Sequence, residues 1–395
     1  MKKKIVFMVI NMNIGGTEKA LLNMINEMPK DQYEITILML EKYGGFLDAI
    51  PKEVKVEYLE DYAAYKQLLN RPVKTTAVEL IKQGKIVKSM ALACVYTLSK
   101  ISRSKMLYYN YVLKNLPEYK NKYDVAIAYA GPMDFISYFV AKKIKAEKKI
   151  QWVHFDVTKI GFDKMLCEKL YEIFDKVYVV SNEAEKKLIR KIPSIKGKTE
   201  VFVNVVSQVD ILSQSQIGEG FNDDFHGKRI LTVGRLSREK GQDLAIRALA
   251  RLIKEGHKVK WYCIGEGNAR YEYEQLISQL NVEEHFILLG AKSNPYPYIK
   301  QCDLYVQPSR YEGYCITLIE ARCLRKPIVT TNVNGADEQI KQGITGVIVN
   351  KDEGSLYNSV KTLIMNSKLM NTYSNNLSKE SVNSDEIKKL LKFIK

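Results

Sequence analysis

The feature that most constrains this chain is an alternation. Short, near-continuous apolar runs rich in β-branched residues recur along it, separated by segments with helical spacing. The first series is IVFMVI (5–10), YEITILML (33–40), VKVEYL (54–59), YDVAIAYA (123–130), IQWVHF (150–155), KVYVVS (176–181) and TEVFVN (199–204). A strand with one wet face alternates apolar and polar residues. Runs apolar at nearly every position belong to strands covered on both faces, as in a parallel sheet between helices. TEKALLNMINEM (17–28) and NEAEKKLIRKI (182–192) are such covering helices. In the second, Asn182 and Glu185 predict a capping-box start.

The alternation pauses at Ser207–Gly227, which is polar, contains glycine and lacks periodicity, as a linker does. A second series follows: RILTVG (229–234), KVKWYCIG (258–265), HFILLG (285–290), DLYVQP (303–308), PIVTT (327–331) and GVIVN (346–350). A chain of 395 residues exceeds one ordinary core, so the two series predict two domains. The expected architecture is α/β: two Rossmann-like doubly wound domains facing across a cleft, with ligand at the carboxyl ends of the strands. The N-terminal domain spans 1–206 and the linker 207–227. The C-terminal domain spans 228–370, and a helical tail, 371–395, is expected to pack back toward the N-terminal domain. Residues 60–120 break the pattern; they are helical, basic and rich in tyrosine, and read as an insertion.

Charge is unevenly placed. Of the net +16, residues 1–205 hold 35 Lys+Arg against 23 Asp+Glu. Lys66 to Lys114 contains ten basic residues and one acid, Glu79. Such a patch attracts phosphate: anionic lipid, nucleic acid or a phosphorylated substrate. No helix-turn-helix, RRM-type or zinc-finger signature accompanies it, which weighs against nucleic acid. The six cysteines are scattered without a zinc spacing and read as reduced thiols in a cytoplasmic protein. The start, MKKKIVFMVINMNIGG, has too short an apolar run for a signal peptide and reads as the first strand.

Four segments carry chemistry. In YEGYCITLIE (311–320), Glu312 and Glu320 lie eight apart after a buried-looking strand. Gly313 suits a tight turn, and a helix begins near Ile316 or Thr317. Free N–H groups at a helix start form a phosphate site. Glu320, one turn along, is placed for a ribose diol, and Glu312 for sugar hydroxyls. In LTVGRLSREKGQD, Gly234 ends a strand, and Arg235 and Lys240 then flank a short loop where two cations can neutralise a diphosphate. The GEG turn (Gly265, Glu266, Gly267) again follows a strand, and its glycines suit close ligand approach. After the first strand, Gly15 and Gly16 resemble a phosphate loop, with Thr17 as the helix cap; neither a Walker loop nor GxGxxG is present. His154 ends a strand on the ligand side. No DxD or His/Asp cluster with metal-ligand spacing lies at a strand end, so no metal and no cofactor are expected.

Together these residues resemble the retaining family-four glycosyltransferases of GT-B architecture over nearly the whole chain. The family's GG-x-E loop matches Gly15, Gly16 and Glu18; its VGRL…KG element matches Val233–Leu236 and Lys240-Gly241. Its GEG loop matches 265–267, its E-x7-E signature Glu312 and Glu320, and its strand-end histidine His154. The resemblance implies metal-independent transfer, with retention, from a nucleotide diphosphate-sugar. UDP-sugar is the first expectation and GDP-sugar the second. It also implies roles. Arg235 and Lys240 stabilise the leaving diphosphate. Backbone around Tyr314, Cys315, Ile316 and Thr317 contacts phosphate and sugar. Glu312 holds the sugar and Glu320 the ribose, while His154 and Glu18 face the acceptor side. The expected acceptor is a glycan, free or lipid-linked, in bacterial surface polysaccharide synthesis. The basic insertion then suggests a cytoplasmic protein resting on the anionic inner face of the membrane. An inactive nucleotide-sugar-binding subunit and, further off, a nucleic-acid-binding protein are the alternatives.

Overall fold

A computed structural model describes residues 1–395 except 61, 132, 159–160 and 381–385. All thirteen expected strands form: β1 (Lys3–Val9), β2 (Tyr33–Met39), β3 (Lys55–Tyr58), β4 (Lys122–Gly131), β5 (Lys145–Val153), β6 (Lys176–Val179) and β7 (Thr199–Val201) in one sheet. The other contains β8 (Lys228–Val233), β9 (Val259–Ile264), β10 (Phe286–Leu288), β11 (Leu304–Gln307), β12 (Ile328–Thr331) and β13 (Gly346–Val349). Every pairing is parallel. The orders are β3-β2-β1-β4-β5-β6-β7 and β10-β9-β8-β11-β12-β13. Both reverse direction once, beside β1 and beside β8, which is the doubly wound pattern. At those points neighbouring loops diverge and leave a crevice at the strand ends.

The chain divides into two compact units. The first contains Met1–Asn13, Asn26–Phe202 and Leu390–Lys395; the second contains Ile14–Ile25 and Val203–Lys389. In the first, Trp152, Tyr178 and Phe202 pack tilted or edge-on into one cluster with centroids 4.5–5.1 Å apart. In the second, Trp261 is fully buried and its indole donates to Thr232 Oγ1 at 3.0 Å. Burying each such ring contributes about 2–3 kcal/mol.

Several local expectations change. The helix Asn182–Lys191 is capped by Ser181, whose hydroxyl accepts from the Ala184 N–H at 3.2 Å. Asn182 is therefore the first helical residue rather than the cap. Replacing Ser181 by alanine should cost about 1 kcal/mol in urea unfolding. The segment read as a linker contains the helix Gln208–Gln214, started by the Ser207 hydroxyl. The helix Gly16–Glu27 begins one residue before Thr17, so Thr17 lies inside its first turn. Most of that helix belongs to the second unit, because Lys19 pairs with Glu320 at 2.9 Å and Asn23 donates to the Val205 carbonyl. The described residues of 60–120 form four helices: Tyr62–Asn70, Val73–Lys82, Ile86–Ile101 and Met106–Val112. At the other end, the helix Glu386–Ile394 buries Leu390 and Ile394. Lys148 donates to its Phe393 carbonyl at 2.7 Å and Lys3 to that of Ile394 at 2.8 Å, cations where a helix end is negative.

Candidate functional site

The second unit gathers most of the expected site residues beside the reversal between β8 and β11. Its centre is a buried chain of polar side chains. Tyr305 donates to Gln307 Oε1 at 2.8 Å, and Gln307 Nε2 to the Ser309 hydroxyl at 2.8 Å. The Ser309 hydroxyl donates to Glu312 Oε1 at 2.6 Å, and Lys240 Nζ to both Glu312 oxygens at 2.7 and 2.8 Å. Every link positions the next, so the Glu312 carboxylate and the Lys240 ammonium are held rather than solvated. Burial opposes the charge on Lys240, but the Glu312 carboxylate outweighs it and lifts its pKa above the ordinary lysine range. Lys240 is thus a permanent cation.

The loops carrying this pair are tied together. Arg310 makes a two-pronged bond to Asp243, both at 2.6 Å, while its own N–H and that of Tyr311 donate to the Glu239 carbonyl. Gly241 adopts φ 70°, and a Cβ there would come within 2.1 Å of the Pro308 carbonyl oxygen. The chain bends at Gly313 and Tyr314 and then enters the helix Ile316–Cys323. Gly313 makes this bend without a positive φ. Cys315 occupies the cap position but supplies no side-chain cap, and burial pushes its thiol up to about 12. A helix start offers N–H groups and the positive end of its dipole, as an anion site requires. Burial also raises the Tyr314 phenol. Thr317 instead faces inward and donates to Gln307 Oε1 at 3.1 Å.

Glu320 is buried. Tyr296 donates to it at 3.1 Å and Lys19 pairs with it at 2.9 Å, with Lys19 also lying over the Tyr296 ring. Gly16 sits against Ile316: a Cβ there would be 3.7 Å from the Ile316 side chain. Two helix starts therefore meet in this unit. Glu18 lies beside Gly15, close enough to Arg235 for the two charges to interact. Burial raises the Glu18 pKa, and a backbone hydrogen bond and Arg235 partly offset this. Arg235 itself is exposed.

The GEG turn has a different physical reason from the one its sequence suggests. Gly265 has φ 149°, and a Cβ there would lie 2.0 Å from the Gly234 carbonyl oxygen. A Cβ on Gly267 would lie 2.2 Å from that of Leu236. These glycines let the turn press its backbone against the Gly234–Leu236 loop, fixed by Leu236 N–H to Glu266 O at 3.1 Å. Glu266 itself pairs with Arg270 at 2.6 Å.

His154 belongs to the first unit, just after β5. It packs edge-on to Tyr129 at 4.5 Å, and burial drops its pKa to about 3, so it is a neutral imidazole at ordinary pH. Its buried Nε2 has no hydrogen-bond partner among the described residues. Such an orphan is uncommon and suits a ligand hydroxyl. Among the described residues no group of three or more His, Cys, Asp and Glu could hold a metal ion.

Lys19, Gln307, Ser309 and the Arg310–Asp243 clamp escaped the sequence reading. Gln307 and Ser309 stood at the expected strand end beside Glu312, which was the available signal. Lys19 offered none, because its partner is three hundred residues away.

Residues 220–380 match the family described as glycosyl transferases group 1. The matched segment contains Arg235, Lys240, the GEG turn, Glu312 and Glu320. Over 228 residues the chain is 31% identical to the N-acetylgalactosamine-N,N'-diacetylbacillosaminyl-diphospho-undecaprenol 4-alpha-N-acetylgalactosaminyltransferase of Campylobacter jejuni, covering 57% of this chain and 60% of that one. Over 266 residues it is 24% identical to the poly(ribitol-phosphate) alpha-N-acetylglucosaminyltransferase of Staphylococcus aureus, covering 60% and 51%. The match thus spans between half and two thirds of these relatives' own lengths. The Anabaena protein HepE, solved in complex with UDP, superposes with a TM-score of 0.67 at 18% identity, over 100% of this chain and 99% of that one. The likeness is one of fold and agrees with the two-domain Rossmann-like α/β architecture, GT-B, expected above.

Proposed function

We propose that this chain transfers a sugar from a nucleotide diphosphate-sugar to a glycan acceptor in bacterial surface polysaccharide synthesis. The observation that carries the reading is the Lys240–Glu312 pair, fixed beside the uncapped start of the helix Ile316–Cys323. A cation and a helix start converging on one place suit a diphosphate, and a fixed carboxylate beside them suits sugar hydroxyls. Arg235 would join Lys240 in stabilising the leaving diphosphate, with no metal required. His154, in the first unit, would serve the acceptor side. The reaction breaks the anomeric C–O bond to the diphosphate and forms one to an acceptor oxygen, whose proton passes to the departing phosphate. Retention of configuration is part of the proposal. Two relatives named for α-linked products support it, since an α-linked donor gives an α product by retention. UDP-sugar is the first donor to try, and a membrane-borne acceptor the first acceptor. We place the protein in the cytoplasm, peripheral to the inner face of the cell membrane.

A thermal-shift panel of UDP, GDP, ADP and CMP with their sugars tests this. One diphosphate nucleotide should stand out, stabilising by about 2.7 kcal/mol at 100 times its Kd. Stabilisation unchanged by EDTA supports metal independence. If a nucleotide binds but no sugar moves to any glycan, the chain is an inactive binding subunit. If none binds, the reading fails.

A further inference from the structure

The helix Ile86–Ile101 is amphipathic the wrong way round for a soluble surface. Its buried residues include two serines, satisfied by backbone: Ser89 donates to the Ala77 carbonyl at 2.9 Å and Ser99 to that of Ser104 at 2.8 Å. Leu92 is buried beside them, but most of its large apolar residues face out. Val87 is 80% exposed, Met90 68%, Leu98 49% and Ile101 73%, with Cys94 exposed among them. At 100° per residue these five fall within an arc of about 80°, opposite the buried face. They form one stripe about 21 Å long. Ile81 and Ile86 extend it at the preceding turn, each more than half exposed.

Charge frames the stripe. Residues 80–117 contain no Asp or Glu and seven Lys or Arg. Lys82, Lys85 and Lys88 stand at one end of the helix, and Lys100 and Arg103 at the other, all exposed. A second copy of the chain would bring these cations against their like. A surface of negative headgroups over an apolar interior matches both components, with lysine stems lying along the apolar face and their ammoniums at the phosphates.

We propose that the helix Ile86–Ile101 lies in the interface of an anionic bilayer, inserting Val87, Met90, Cys94, Leu98 and Ile101 among the acyl chains. No helix among the described residues is long and apolar enough to cross a membrane, and this contact needs none. The proposal rests on the reading above for its membrane-borne acceptor and names the surface that would meet that membrane.

Cys94 provides the probe. It is exposed, whereas Cys167, Cys263, Cys302, Cys315 and Cys323 are buried, so a polarity-sensitive thiol dye will label it selectively. At low salt the full chain should float with vesicles of phosphatidylcholine plus phosphatidylglycerol, and the dye should shift to the blue. Phosphatidylcholine alone should bind at least about tenfold less. Val87→Asp with Ile101→Asp should lower partitioning by at least about tenfold and abolish the blue shift. The thermal shift with nucleotide should be unchanged in that variant, showing that it is folded. No donor or acceptor enters the flotation assay, so its failure leaves the transferase reading standing, and the reverse. The proposal is overturned by absence of flotation, by flotation without a blue shift, or by flotation insensitive to the double substitution. Self-association in sedimentation that the same substitutions abolish would give the stripe to a second copy and also overturn it.

Discussion

Lys240→Ala should lower kcat/KM for sugar transfer by about 10²–10³-fold and remove the thermal shift given by the preferred nucleotide. Lys240 is the cation with the most restricted position in the site. Two bonds to Glu312 hold it, and Glu312 is held in turn by Ser309, Gln307 and Tyr305. Removing the ammonium deletes a charge that needs no reorganisation to meet a developing negative charge. It also leaves the Glu312 carboxylate largely buried without its cation, which should lower stability by about 1–3 kcal/mol. The two effects separate in Lys240→Ala combined with Glu312→Gln. Stability should then recover while activity stays lost. Full nucleotide binding by Lys240→Ala would remove this residue from the donor site.

Gly265→Ala should destabilise the protein by at least about 3 kcal/mol in urea unfolding and weaken nucleotide binding in whatever remains folded. Two causes add. The φ of 149° is a conformation that side-chain-bearing residues rarely adopt, and the new Cβ would meet the Gly234 carbonyl oxygen at 2.0 Å. Backbone cannot retreat as the end of a side chain can, so the Gly234–Leu236 loop carrying Arg235 must move. Gly256 is the control. Its φ is 79°, but nothing lies within 4 Å of a Cβ there, so Gly256→Ala should cost only about 1 kcal/mol. Equal losses at the two positions would show that the loop contact does not matter.

Much of the fold was legible because its causes are local. Strands covered on both faces are apolar almost throughout, as most of the thirteen runs are, and their alternation with helices leaves few alternatives to two parallel sheets. The candidate site was legible where residues stand at strand ends, as Arg235, Lys240 and Glu312 do. Helix starts were less so. At Asn182, Ser and Asn are adjacent and both good caps, and the choice of Ser181 depends on where the chain leaves β6.

The sequence by itself determined the two doubly wound sheets and the residues at their strand ends, because periodicity and strand-end position are properties of neighbours along the chain. Only the tertiary structure decided who holds whom. That Lys19 pairs with Glu320, that the Gly265 turn touches Gly234, and that Ile86–Ile101 turns its apolar stripe outward are contacts between distant segments. Each depends on which faces the packed sheets leave open, and no spacing along a chain encodes that.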